Sequence, residues 1–299
     1  MTAPLPAAAR PTTDARPWLA FAVCSGIWGS TFLVISIGND VLAPLWACTL
    51  RLVLAALLLG AWTRLRGQPL PRGAALRAAV GYGVAQFGVN LPLLYWGERA
   101  VPSGLAAVVY ATLPLSSALI ARAFGLERLT PAKLLGAVVA LGGVAVLFSS
   151  ALSAHAPPLG LAAIFAGATS AGLGTVLLKR GPRQDPFGAN AVGCAVGAPI
   201  AAVFSLALGE PRALPTTFAA AWPLVYLTVA GSVGAYVIMA WLVGRWSVSR
   251  TAYVTVIVPI IALVLGAFVR HEPLAPGTLG GAALILTGLL LGMRPERRA

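Results

Sequence analysis

Carboxylates and imidazoles are scarce in this sequence: eight acidic residues and two histidines among 299 positions. The eight acids are Asp14, Asp40, Glu98, Glu127, Asp185, Glu210, Glu272 and Glu296. They fall at the ends of apolar runs or between them, and His155 and His271 are equally peripheral. Hydrolytic and metal centres need such groups within reach of one another, so the distribution argues against an enzyme, and no cofactor or metal is expected. The three cysteines, Cys24, Cys48 and Cys194, are odd in number, far apart and enclosed in apolar sequence. That excludes a disulfide framework as the organising device. Charge of any sign is short, at 10% of residues, where a soluble domain carries about 25%. Hydrophobic residues make up 59% and the mean hydropathy is +0.87. A bilayer core of about 30 Å is crossed by roughly 20 apolar residues in a helix. The composition therefore belongs to a polytopic helical membrane protein.

Residues 1–17, rich in Ala, Pro and Thr, read as a disordered tail. The first apolar run, 18–37, is too long for a signal-peptide core. Nine more runs follow, at 43–62, 74–96, 101–124, 131–149, 158–178, 189–208, 219–243, 249–269 and 275–293. Ten transmembrane helices result, and 294–299 form a basic carboxyl-terminal tail. The net charge of +13 is scattered over short loops, the pattern of a topology signal and not of nucleic-acid binding. Seventeen basic residues fall on one side of a ten-span arrangement, and only Arg99, Arg212 and Arg270 on the other. Both termini are accordingly expected in the cytoplasm.

The chain also repeats itself. In an ungapped shift of 145 positions Trp96 meets Trp241, Pro114 meets Pro259, Glu127 meets Glu272 and Leu129 meets Leu274. Pro131 then meets Pro276, Gly136 meets Gly281 and Gly143 meets Gly288. Two units, 18–149 and 158–293, each hold five spans. An odd number inverts the second unit across the bilayer, a basis for alternating access; duplication for packing alone is the plainer alternative.

The residues also resemble a known family. Gly26-Ile27-Trp28-Gly29-Ser30 is similar to the Trp-Gly-Ser signature of the drug/metabolite transporter superfamily, EamA type. Arg51 matches an arginine in that family's second helix. Pro114, Gly125, Glu127, Leu129, Gly136 and Gly143 resemble its repeat signature. The second copy has Arg270 where Gly125 stands, and helix 6 lacks the Trp-Gly-Ser motif. The resemblance implies a bacterial inner-membrane exporter of small metabolites, closest in look to exporters of aromatic amino acids.

Polar residues inside the spans are the candidates for function. Tyr82, Gln86 and Asn90 stand at steps of four in helix 3, and Thr228, Ser232 and Tyr236 in helix 8. Such groups avoid lipid, so they either wall a central cavity or bond helices together. Trp28 and Ser30 in helix 1, Tyr110 in helix 4, and Tyr253 and Thr255 in helix 9 complete the candidate substrate-binding set. Uncharged hydroxyls and amides beside aromatic rings suit a zwitterionic or neutral molecule with an apolar side chain. Arg51 is the one base well inside a span. It either holds a substrate carboxylate or ties down the structure. Glu127 and Glu272 read as caps or local ion pairs with Arg128 or His271.

The expected function is export of amino acids, aromatic ones included, or related metabolites, by alternating access. No buried carboxylate is expected to couple transport to protons. A phosphate- or nucleotide-sugar antiporter would need several interior bases; a non-transporting membrane subunit is the other alternative. The expected partners are a small-molecule substrate and the lipid bilayer, with no nucleic acid, and the chain is expected to act as a monomer.

Overall fold

A computed structural model describes residues 15–99, 101, 106, 109–128, 130–147, 158–270 and 277–292. Ten helical stretches follow one another: α1 (Arg16–Asn39), α2 (Pro44–Leu65), α3 (73–97), α4 (Leu113–Ala123) and α5 (Pro131–Leu147) form the first half. The second half contains α6 (Pro158–Arg180), α7 (Pro186–Ala207), α8 (Phe218–Val243), α9 (248–270) and α10 (Gly277–Gly292). Five of them, α1, α2, α6, α7 and α8, are singly long and apolar enough to cross a bilayer. Their outer faces stay apolar, as at Leu19, Leu57, Phe165 and Val203, which are all more than half exposed. Water would not tolerate such surfaces; acyl chains do.

The halves pack by equivalent pairings. α5 lies on α10 and α2 on α7, each helix against its counterpart. α1 packs on α9 as α6 does on α4, and α7 on α3 as α2 does on α8. Counterparts run antiparallel. Near Gly136, early in α5, stand Gly288 and Gly292, late in α10, whereas Gly143 stands against Gly281. These repeated glycines let the two backbones touch: a Cβ on Gly288 would sit 2.5 Å from the Ala140 nitrogen. In the same sense Glu210, just past α7, caps the start of α2, its carboxylate accepting from Leu45 N (3.3 Å) and Trp46 N (2.9 Å). The Trp-Gly-Ser motif acquires a packing role at its centre. A Cβ on Gly29 would lie 2.4 Å from the Ile261 Cγ2, so α1 and α9 meet closely there.

Two helices depart from simple α geometry at matching places. Residues Gly83–Asn90 of α3 and Leu227–Gly234 of α8 are π-helical, eight residues each. Their i→i+5 bonding widens the turn, a form found mostly at functional sites. The run expected as one helix over 101–124 restarts at Leu113, after a turn at 111–112; Pro114 lacks the N–H that would continue the ladder. Its counterpart α9 is interrupted at Tyr253, between Val248–Ala252 and Val254–Arg270. Glu272, His271, Leu129, Leu274, Pro276 and His155, with both tails, lie outside the described residues.

Candidate functional site

Three spaces with shared wall residues lie in succession through the bundle. A wide vestibule of about 640 Å³ opens at the end where α6 meets α7 and α8 ends, beside Lys179, Arg183, Arg245 and Trp241. Leu178, Ala240 and Val243 separate it from an inner cavity of about 20 Å³. Beyond that lies a second cavity of about 40 Å³. Trp28, Tyr110, Tyr236 and Thr255 line both inner spaces. Cavities this size hold a few waters and no more. The inner path is therefore closed, while the vestibule stands open at the end that gathers most of the basic loops.

The walls come from both halves. Tyr236 is the central node: its ring lies 5.2 Å from that of Trp28 and 4.8 Å from that of Phe87, both edge-on. Its hydroxyl accepts from Gln86 Nε2 at 3.2 Å. Tyr82 donates to Asn190 Oδ1 (3.1 Å), and Asn190 Nδ2 donates to the backbone carbonyl of Tyr236 (3.1 Å). Tyr110 donates to Asn90 Oδ1 at 3.1 Å. The two π-helical segments supply Gln86, Asn90 and Ser232 to these contacts.

Arg51 belongs to the same wall. It is 2% exposed and lines the 40 Å³ cavity. Its Nε donates to Ser232 Oγ at 2.7 Å and its Nη1 to Tyr95 OH at 3.0 Å. Gly231 makes room beside it, since a Cβ there would lie 2.9 Å from Nη2.

The ten candidates thus separate into groups. Trp28, Tyr82, Gln86, Tyr110, Tyr236 and Thr255 line the inner cavities. Asn90 and Ser232 stand behind them, holding Tyr110 and Arg51. Ser30 turns to Tyr226, hydroxyl to hydroxyl at 2.5 Å. Tyr253 reaches Lys133 O at 3.4 Å and packs against Gly292, on the α5–α10 side. Ser30 is two residues from Trp28, about 200° around the helix, so the two cannot share a face. Asn190 and Tyr95 were missed, although an asparagine within an apolar run was a signal. Thr31 and Phe32 also line the cavity of about 40 Å³.

Glu127, Glu210 and Glu98 all carry shielded carboxylates. Glu127 pairs with Lys133 at 3.3 Å and accepts from Val248 N at the start of α9, so it is both ion-pair partner and cap, as expected. Glu210 is satisfied by α2 and by Ser205 Oγ at 3.0 Å. Glu98, one residue past α3, has both oxygens buried with no hydrogen-bond partner among the described residues. Burial pushes its carboxyl up to about 8. Glu98 is therefore a buried carboxyl at a helix end, not within a span.

A bundle of paired, antiparallel repeats around a polar-lined internal path is the architecture of a membrane transporter. The chain belongs to the EamA-like transporter family, whose sequence pattern matches residues 16–149 and 158–294. It is a multi-pass membrane protein of a family that transports and does not catalyse. An uncharacterized inner membrane transporter of Escherichia coli K12, YedA, is 28% identical over 250 residues, 83% of this chain and 81% of that one. A probable terminal-alkyne amino-acid exporter of Streptantibioticus cattleyicolor is 29% identical over 267 residues, covering 88% and 89%. A probable amino-acid metabolite efflux pump of E. coli K12 is 28% identical over 282 residues, covering 89% and 91%. One solved crystal structure superposes with a TM-score of 0.75 over 94% of this chain and 97% of its own, at 20% identity, which supports the fold.

Proposed function

We propose that this protein exports amino acids, aromatic ones included, or closely related metabolites across a bacterial inner membrane by alternating access. The observation that carries the reading is the ring of Trp28, Tyr82, Gln86, Tyr110, Tyr236 and Thr255, drawn from both halves around the closed inner path. Rings enclose an apolar side chain while hydroxyls and amides meet the polar end. The two relatives described as amino-acid exporters support the substrate class. Antiparallel counterparts support inversion of the second half, with alternating access as its consequence. The end with the vestibule carries Arg64, Arg66, Arg72, Arg122, Arg128, Lys179 and Arg183, so it faces the cytoplasm, as do both termini. The vestibule then opens inward, where an exporter loads. A duplicated chain closes its own path, and the working unit is a monomer.

Among the described residues Arg51 is the one base on the inner cavities, so a phosphate- or nucleotide-sugar antiporter lacks the cationic lining it requires. The experiment is counterflow in proteoliposomes preloaded with single amino acids. Exchange of labelled L-phenylalanine or L-leucine, abolished by Tyr236→Ala in a protein that remains folded, is expected. Failure to exchange any amino acid refutes the proposal, and failure to move any solute identifies a non-transporting subunit.

A further inference from the structure

A guanidinium buried in a bilayer-spanning bundle is costly without a countercharge, by several kcal/mol. Arg51 has none: among the described residues its partners are two neutral hydroxyls, Ser232 Oγ and Tyr95 OH. Of its five N–H donors, these two contacts occupy one each, and Nη2 has no acceptor among the described residues. The group nonetheless lies at the cavity surface, not behind it. Its placement is built. Gly231 leaves the space that Nη2 fills, and Ser232 beside it holds Nε, both within the π-helical part of α8. An arginine serving only to tie helices together has no reason to keep donors unspent at a cavity wall.

We propose that Arg51 is the anchor for the carboxylate of the transported molecule, an inference that rests on the amino-acid export reading. A carboxylate presents two oxygens in one plane, matching two parallel N–H bonds of the guanidinium fork. A single negative charge balances a single positive one, whereas a phosphate dianion would leave charge uncompensated. With the carboxylate on Arg51, Trp28, Phe32 and Tyr110 on the same cavity enclose the apolar side chain.

The test compares head groups on one side chain. Proteoliposomes loaded with labelled L-phenylalanine are challenged from outside with unlabelled L-phenylalanine, L-phenylalaninamide or phenethylamine. The acid is expected to exchange, and the amide and the amine to exchange at least about tenfold more weakly, as loss of a charge-assisted bond implies. Arg51→Lys keeps the charge and loses the fork, so its KM for L-phenylalanine is expected to rise while discrimination against the amide persists. Arg51→Met is expected to lose both exchange and discrimination. Should that variant fail to fold, the head-group series on the unaltered protein still decides. Exchange of the amide within threefold of the acid overturns the anchor and leaves amino-acid export standing. No exchange of any amino acid overturns the export reading and the anchor with it.

Discussion

Raising the pH is expected to loosen this fold through one side chain, Glu98. Both its oxygens are shielded and have no partner among the described residues, so the residual exposure of the residue falls on its other atoms. Burial lifts its carboxyl from 4.5 to about 8. The sign follows from proton linkage. Below about 4.5 the group is protonated whether the chain is folded or not, and it contributes nothing. Between 4.5 and about 8 the folded protein holds the proton that the unfolded chain has released, so stability falls as pH rises. The slope is about 1.4 kcal/mol per pH unit, and the full window is worth on the order of 5 kcal/mol, nearer half that where interfacial water screens the group. The assay is thermal unfolding in detergent micelles, followed by tryptophan fluorescence between about pH 5 and about pH 9. Glu98→Gln stays neutral throughout, and its stability should be flat where the unaltered protein declines. Equal pH slopes for the two proteins would refute the reasoning.

Three further outcomes follow from the packing and the caps. Gly288→Val places carbon against the Ala140 nitrogen and the Gly136 oxygen, backbone atoms that cannot yield without parting α5 from α10. It should cost on the order of 1–3 kcal/mol in thermal unfolding, whereas Gly142→Ala, facing open space, should not destabilise. Glu210→Ala removes the acceptor of Leu45 N, Trp46 N and Ser205 Oγ, and should lower stability by about 2 kcal/mol; an unchanged melting temperature would contradict the capping role. Tyr236→Phe deletes the acceptor of Gln86 Nε2 and keeps the ring contacts with Trp28 and Phe87. It should leave folding within about 1 kcal/mol while raising the KM of counterflow, and an unchanged KM would place the hydroxyl away from the substrate.

Much of the architecture was legible because lipid leaves few choices. Long apolar runs can only be spanning helices, and the repeated Gly136, Gly143, Gly281 and Gly288 marked the helices that touch through their backbones. The stripe of Tyr82, Gln86 and Asn90 was readable for the same reason, since polar groups shun acyl chains. What escaped was rotation about each helix axis. Ser30 and Trp28 share a motif and not a face, and Tyr253, two residues before Thr255, is turned by the break in α9 toward Lys133. The π-helical turns were hidden too, because i→i+5 bonding has no residue signature of its own. Arg51 was visible as an anomaly, but only coordinates show that hydroxyls and not carboxylates receive it.

The contacts also say which parts must move. An amino acid cannot enter spaces of about 20 and 40 Å³, so transport requires the inner walls to separate. The α5–α10 and α2–α7 pairs are poor places to yield. The first is joined backbone to backbone through glycines, and the second is fixed where Glu210 receives two backbone N–H groups. The inner walls meet instead through neutral side-chain bonds, Gln86 to Tyr236 and Tyr110 to Asn90. Each is worth only about 1 kcal/mol net, which thermal motion or an arriving substrate can replace. Both π-helical segments border this weak seam, as do Tyr110, just before α4, and Thr255, just past the break in α9. Opening should therefore rock the walls about the two firm pairs. The firm pairs set the axis and the weak seam sets the gate, so a substitution in the seam should change transport before it changes folding, and one in the pairs should do the reverse.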